Sequence, residues 1–425
     1  MNDYKQHLET IQKATEDALQ ATGFNGLWIY SGHSENYFLD DHAPPYQVNP
    51  HFNWWVPDTD VSHSLLHIVP GQKPTLYLSQ PADFWHKIED RSGADWASNF
   101  AVKVVHHQSE MPVINDQLNH AWIGDRSWQP MAAEYTNSDK LLAHLHFSRV
   151  QKTPYEIHCI EQANRLALKG HQAAAEVFYS GASEYDINAA YLQACQQSQN
   201  QMPYGNIVAL NEHAAVLHYQ YQTTKKPDHH RTFLIDAGAA YNGYAADITR
   251  TYAYDKHSEF NDMIAAMDTL QVDLCDACIA GQDYVDLHVQ AHLKIAGVLH
   301  QFNIINCDPE TAVETGLSNT FFPHGLGHYL GLQVHDVAGH QSDAAGTAIK
   351  QPDNHPFLRL TDVLREHAVV TIEPGLYFIP MLLQSQRNNK HINWDKVEKF
   401  LPYGGIRIED NVVVGKTRSR NLTRS

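Results

Sequence analysis

Thr232-Phe-Leu-Ile-Asp236-Ala-Gly, then Tyr241-Asn242-Gly243-Tyr244, then Ala245-Ala-Asp247-Ile-Thr249-Arg250 read together as a β-hairpin. Asn-Gly is the favoured centre of a two-residue turn, so Tyr241 is expected to pair with Tyr244 and, counting outward, Asp236 to lie opposite Thr249. Asp247 stands two positions from Thr249 and therefore shares a face with Asp236, within diagonal reach. Two carboxylates on one face of an apolar hairpin repel each other unless a cation lies between them, because burying unpaired charge is costly. For this pair alone, a half-exposed polar face explains the pattern equally well.

Three later segments bear on the choice. Phe321-Phe-Pro-His324-Gly-Leu-Gly-His328-Tyr-Leu-Gly-Leu-Gln-Val-His335-Asp336 sets three histidines among glycines that make a regular helix unsuitable but let backbone approach a site closely. Val369-Val-Thr-Ile-Glu373-Pro-Gly ends an apolar strand on a carboxylate. Gly405-Ile406-Arg407-Ile408-Glu409-Asp410 alternates, with Ile406 and Ile408 on one face and Arg407 and Glu409 on the other. Asp236, Asp247, His328, Glu373 and Glu409 then make four carboxylates and one imidazole, too much negative charge for one divalent ion and suited to two. Oxygen-rich ligation favours Mn²⁺ over a thiolate-type zinc site and leaves Fe²⁺, Co²⁺ and Zn²⁺ open. Two such ions roughly 3.5–4 Å apart form a hydrolytic device.

The rest of the chain bounds this reading. Its 425 residues suggest two or three domains. With 48 Asp+Glu against 30 Lys+Arg the formal charge is −18, which argues against nucleic-acid or anionic-membrane partners. Five scattered cysteines imply no disulfide framework. The polar, helix-like start lacks a secretory pattern, and the longest apolar stretch, Gly375 to Leu383, is broken by Pro380 and far short of the ~18–20 residues of a membrane helix; a soluble cytoplasmic protein is expected. Short apolar runs at Leu27–Tyr30, Leu65–Val69, Thr75–Leu78, Val102–Val105 and Ala121–Ile123 describe an α/β domain over residues 1–150. Residues 151–425, opening on a helix at Pro154, have an α+β pattern.

The ordered ligand set in the contexts Leu-Ile-Asp-Ala-Gly, Ala-Asp-Ile-Thr-Arg, His-Gly-Leu-Gly-His, Thr-Ile-Glu-Pro-Gly and Ile-Arg-Ile-Glu-Asp resembles the pita-bread metallopeptidases, and among them the bacterial prolidases, or Xaa-Pro dipeptidases. Tyr37-Phe-Leu-Asp40-Asp41-His42 and Leu358-Arg359-Leu-Thr-Asp-Val-Leu are similar to the subgroup that includes organophosphorus acid anhydrolases. The resemblance implies a C-terminal pita-bread catalytic domain and a smaller N-terminal domain for dimerisation and as a lid. It implies two divalent ions, Mn²⁺ foremost, on Asp236, Asp247, His328, Glu373 and Glu409. Glu373 would handle the proton, His335 would stabilise the tetrahedral intermediate and His324 would line the proline subsite. His218, Arg359, Arg407, Tyr204, Tyr284 and Asp41 would bind substrate, with the Asp40-Asp41-His42 loop of one small domain approaching the site of the other chain in a homodimer. Xaa-Pro dipeptides are the implied substrates, with side activity on organophosphorus esters and fluorides. An Xaa-Pro aminopeptidase, a metal-free creatinase-like hydrolase and a non-catalytic pita-bread binding protein are the alternatives.

Two motifs fall outside this scheme. Cys275-Asp-Ala-Cys278 lacks the second pair of a zinc site. His288-Val-Gln-Ala-His292 has helical spacing but no Glu after the first histidine, so a zincin site is not expected.

Overall fold

All five apolar runs of the N-terminal region form strands in the computed structural model, which describes residues 2–114, 116–125 and 132–424. In chain order this region holds α1 (Asn2–Thr22), β1 (Gly26–Tyr30), α2 (Pro50–Asn53), β2 (Leu65–Ile68), β3 (Thr75–Ser79), β4 (Ala101–Val105), β5 (His120–Ile123) and α3 (Asp139–Val150). The sheet runs β4-β3-β2-β1-β5, with β3–β4 and β1–β5 parallel and the other pairs antiparallel. Helix α1 buries Leu8, Ile11, Ala18 and Leu19, the spacing of one apolar stripe. Trp28, Tyr30, Leu65 and Trp122 pack together around the central strands.

The remainder continues with α4 (Pro154–Tyr179), α5 (Glu184–Cys195), β6 (Ile207–Leu210), β7 (Thr232–Asp236), β8 (Ala240–Tyr241), β9 (Tyr244–Ala245), β10 (Thr249–Ala253), α6 (Glu259–Asp276), α7 (Tyr284–Gln301), α8 (Pro309–Glu314) and α9 (Ser318–Phe321). It closes with β11 (Val369–Ile372), β12 (Gly375–Tyr377), α10 (Pro380–Ser385), α11 (Trp394–Phe400), β13 (Gly405–Arg407), β14 (Asp410–Val413) and β15 (Arg420–Asn421). Two compact units result: Met1–Arg149 with Thr153–Tyr155 and Asp343–Thr347, and Val150–Lys152 with Glu156–Ser342 and Ala348–Ser425.

The hairpin adopts the register read from its turn. Tyr241 pairs with Tyr244 and Asp236 with Thr249. Beyond β10, β7 also pairs with β6, and side chains of this sheet alternate between two buried environments. Val208, Leu210, Phe233 and Ile235 pack with Phe178 of α4 and Ile187 and Tyr191 of α5; Ile207, Ala209 and Leu234 pack with Ala214 and Tyr219. Helix α5 starts on a capping box in which the Ser183 hydroxyl accepts from the Asp186 amide and the Asp186 carboxylate accepts from the Ser183 amide.

The larger core lies where α6 and α7 meet β11, β12 and β14. Ile406 and Ile408 enter it, and their alternation turns Arg407 and Glu409 the other way. An antiparallel bridge between Thr249 and Glu409 joins the hairpin to the C-terminal strands, and another between Tyr329 and Val370 joins the histidine loop to β11. Among the described residues no helix is long and apolar enough to cross a membrane.

Candidate metal centre

Asp236 ends β7 and Asp247 lies in the segment leading into β10, so the ladder between these strands sets their spacing. The backbone amide of Asp247 donates to Asn411 Oδ1 at 3.1 Å, and Asn164 Nδ2 donates to the same oxygen at 2.9 Å. Tyr204 Oη lies 2.8 Å from Asp236 Oδ1 and 2.5 Å from Asp247 Oδ1, tying the two carboxylates together from one side. From the other, Arg407 Nη2 donates to Asp236 Oδ2 at 2.8 Å.

Glu409 enters through the bridge to β10. Its amide donates to the Thr249 carbonyl at 3.0 Å, and the Thr249 hydroxyl donates to Glu409 Oε2 at 2.6 Å. Glu373 follows β11 directly, and its amide donates to the Leu326 carbonyl at 2.8 Å, which sets it against the histidine loop. The His328 amide donates to Thr371 Oγ1 at 3.1 Å. Gly327 permits that approach, since a Cβ there would stand 2.1 Å from the Thr371 carbonyl oxygen. With its Nδ1–H given to the Tyr329 carbonyl at 2.9 Å, His328 turns Nε2 toward Asp247 Oδ2 at 3.5 Å and Glu373 Oε1 at 3.6 Å.

The electrostatics of this cluster are those of a cation site. Burial pushes Asp236 upward and Arg407 only partly offsets it, while burial and the other three carboxylates push Glu409 well up. Glu373 rises to about 7 through burial, opposed by His328 and raised further by Asp247. Asp247 moves down: burial opposes, but the hydrogen bond and charge of His328 outweigh it. Four clustered carboxylates, Asp247 and Glu409 buried and Asp236 and Glu373 half-buried, cannot all ionise beside one imidazole and one guanidinium without added positive charge. Asp247, His328 and Glu409 each offer one ligand atom within 4.8 Å of one another. The donors are hard oxygens with one oriented imidazole, a set that fits divalent ions.

Residues 158–416, more than half of the chain, match the family described as metallopeptidase family M24. The chain belongs to that family. Residues 2–147 match the domain described as the N-terminal domain of Xaa-Pro dipeptidase. Proteins named Xaa-Pro dipeptidase from Pseudoalteromonas translucida and Xanthomonas campestris pv. campestris (strain 8004) are 45% and 46% identical to this chain, covering 99% of it and 98% and 97% of themselves. Escherichia coli aminopeptidase P with the inhibitor Pro-Leu superposes with a TM-score of 0.71 at 21% identity over 97% of this chain and 94% of that one. Proline aminopeptidase P II from Yersinia pestis gives 0.69 at 22% over 97% and 96%. These two share the fold of the α+β M24 chain.

In this M24 metallopeptidase the remaining expected site residues divide into two groups. His335 stacks edge-on against His328, ring centroids 4.4 Å apart, and partial desolvation against its neighbours, then the charges of His328 and Arg359, lower it to about 4. His218 lies close enough to His324 and His335 to bear on the charge state of both. His218, His335 and Arg359 are exposed. His324 gives Nδ1–H to the Gly325 carbonyl at 2.8 Å, leaving Nε2 to accept from Tyr377 Oη at 2.8 Å; burial and the charge of Arg407 lower it to about 3. Both imidazoles are therefore neutral near pH 7.

Arg407 and Tyr284 sit differently from the substrate contacts expected of them. Arg407 is 4% exposed and committed to Asp236, Tyr377 and Thr249, so it acts through those groups. Tyr284 has no solvent-accessible surface, its hydroxyl donates to the Thr371 carbonyl at 3.0 Å, and it braces the strand beside His328. Asp41 stands exposed in the Tyr37–His42 turn of the N-terminal unit, its amide held by Asp40 Oδ1 at 2.8 Å.

Tyr377 was not among the residues expected at the site. It links Arg407 Nη1, 2.9 Å from its hydroxyl, to His324. Its place two residues beyond Gly375 in an apolar run disguises it as core. Thr249 was expected only as a register partner; its hydroxyl serves Glu409.

Proposed function

We propose that this M24 metallopeptidase is an Xaa-Pro dipeptidase that binds two divalent ions, Mn²⁺ by preference, on Asp236, Asp247, His328, Glu373 and Glu409. The observation that carries this reading is the convergence of those four carboxylates and one oriented imidazole in a chain whose full-length relatives bear that name. Bound there, the ions supply the positive charge that keeps all four carboxylates ionised and Lewis acidity toward water and a peptide carbonyl.

The chain's own residues then act on substrate. A prolyl peptide bond has no N–H for an ordinary peptidase to grip, so both ends of the dipeptide are the natural handles. Arg359 and His218 take the proline carboxylate as charge-assisted partners, a geometry that requires a free C-terminus directly after proline. His324, held by Tyr377, lines the proline ring. His335 donates to the developing oxyanion, and Glu373 takes a proton and returns it to the leaving nitrogen.

A phosphoryl centre is also tetrahedral, and the same donors serve it, so we assign a side activity on organophosphorus esters and fluorides, with Tyr204 at the pocket wall. We also assign a homodimer in which Asp41 approaches the other copy's site; Phe38 and Leu39, each 92% exposed beside it, support a covered surface there. The five cysteines form no disulfide among the described residues, which suits a reducing, cytoplasmic setting. The test is chelation: a stripped sample should lose Ala-Pro hydrolysis and regain it with Mn²⁺, and full turnover without metal would reject the reading.

A further inference from the structure

We propose that His288, His292 and His355 form an additional metal site, separate from the carboxylate centre, that takes one Zn²⁺-class ion and clamps α7 to the loop leading into Arg359. His288 and His292 lie one turn apart on α7, and His355 comes from the loop, so the third ligand absent from the helical motif is supplied from about sixty residues away. Each offers one ligand atom, and these atoms all lie within 4.8 Å of one another. Ring centroids are 4.7 Å apart for His288–His292, 4.5 Å for His288–His355 and 4.7 Å for His292–His355.

The cluster is buried and carries orphaned nitrogens. His288 and His292 are each 1% exposed and His355 8%. Among the described residues His288 Nδ1 and His292 Nε2 have no hydrogen-bond partner, a costly state for buried polar atoms unless something meets them. The other nitrogen of His292, Nδ1, lies 2.9 Å from the Ser318 hydroxyl at the start of α9, the outer-shell contact that orients a ligating imidazole. His355 Nε2 is 3.1 Å from Asn354 Nδ2. Phe322 walls the site, 4.8 Å from His292 and 5.7 Å from His288 between ring centroids.

Chemistry selects the ion. Neutral imidazole is the form that binds metal, through the ring nitrogen that carries no proton. Three imidazoles and no carboxylate favour Zn²⁺, Co²⁺, Ni²⁺ or Cu²⁺ over Mn²⁺ or Mg²⁺, the reverse of the carboxylate centre. Tetrahedral Zn–N bonds of about 2.0–2.1 Å place nitrogens roughly 3.3 Å apart, so small ring rotations close the site and leave a fourth position for water. The absence of the Glu that a zincin uses makes the role structural. The loop from His355 to Arg359 packs on the histidine loop, because a Cβ at Gly325 would meet Leu358 Cα and the Phe357 carbonyl at 3.1 Å each. An ion at the cluster therefore steadies both walls that carry His324 and Arg359.

The test uses the full chain stripped with chelator, equilibrated with Zn²⁺, gel-filtered and assayed for metal by mass spectrometry. Wild type should hold one ion more than His355→Gln, and Asp236→Asn/Asp247→Asn, which disables the carboxylate centre, should retain about one. Adding His355→Gln to that double variant should remove it, together with the visible band of tetrahedral Co²⁺. Equal zinc content in wild type and His355→Gln would overturn the proposal, whereas loss of metal only from the Asp variants would leave the carboxylate centre intact as a reading. Anomalous diffraction at the zinc edge from wild-type crystals needs no variant: a peak bonded to all three rings supports the site, and an empty cluster at saturating Zn²⁺ refutes it.

Discussion

Arg407 and Asp236 are joined by a 2.8 Å hydrogen bond between Nη2 and Oδ2, deep enough that the guanidinium is 4% exposed. The same guanidinium reaches Tyr377 and, through it, His324. One buried cation thus holds a proposed metal ligand and, through Tyr377, a histidine proposed to line the proline subsite. Arg407→Lys keeps the charge but cannot present the fork. It should weaken metal binding about 10–100-fold, the usual effect of losing a group that orients a ligand. Tyr377→Phe separates the two roles: it should lower kcat/KM while leaving the metal dissociation constant, read by competition titration, nearly unchanged.

Gly327 is a second sensitive point. An added Cβ would lie 2.1 Å from the Thr371 carbonyl oxygen and 2.6 Å from Tyr284 Oη, and neither backbone nor a fully buried ring can give way cheaply. Gly327→Ala should cost about 1–3 kcal/mol of stability, the scale of overpacking, and displace His328. Urea unfolding of the two proteins measures the first effect and metal titration the second.

The hairpin was legible because its information is local. Asn242-Gly243 sets the turn, and register follows by counting to Asp236 and Thr249. Glu373 was legible as a carboxylate ending an apolar strand, and Glu409 as part of the polar face of an alternating one. What stayed hidden depends on strands far apart in sequence: the Thr249 hydroxyl on Glu409 and the Arg407–Tyr377–His324 chain arise only once β10, β12 and β13 are neighbours. Tyr284 misled for the same reason, since its position at the start of α7 does not reveal that its hydroxyl turns inward to Thr371. The His288–His292 pair looked incomplete because its third histidine lies in a distant loop.

Acid sensitivity should have a contribution from the N-terminal unit. His67 stacks on Trp28 at 3.6 Å and 5° and meets His120 Nδ1 at 3.0 Å; burial first, then the charges of His120 and Lys103, lower it from 6.5 to about 4. Because the folded value is lowered, neutral His67 imposes no penalty above the unfolded value near 6.5. As pH falls from there toward 4, the unfolded chain takes up a proton that the folded one refuses, and stability declines. Thermal melts across that window should show a shallower decline for His67→Phe; identical slopes would remove His67 from the explanation.

Arg359 should separate substrate classes. Arg359→Ala removes the proposed partner of the proline carboxylate but nothing that a neutral phosphoester needs on the same proposal. The loss in kcat/KM on Ala-Pro should exceed the loss on an organophosphorus ester by at least about tenfold, the effect of ~1.4 kcal/mol of differential binding. Equal losses on both would withdraw the carboxylate-binding role.

The proposed activity of this metallopeptidase is cleavage of Xaa-Pro dipeptides. Its most direct test is the Mn²⁺-reconstituted full-length chain assayed side by side on Ala-Pro and Ala-Pro-Ala, with free alanine as the readout. Rapid release from Ala-Pro, with little from the tripeptide, is the expected result. Equal or faster release from Ala-Pro-Ala would contradict it and make the chain an aminopeptidase.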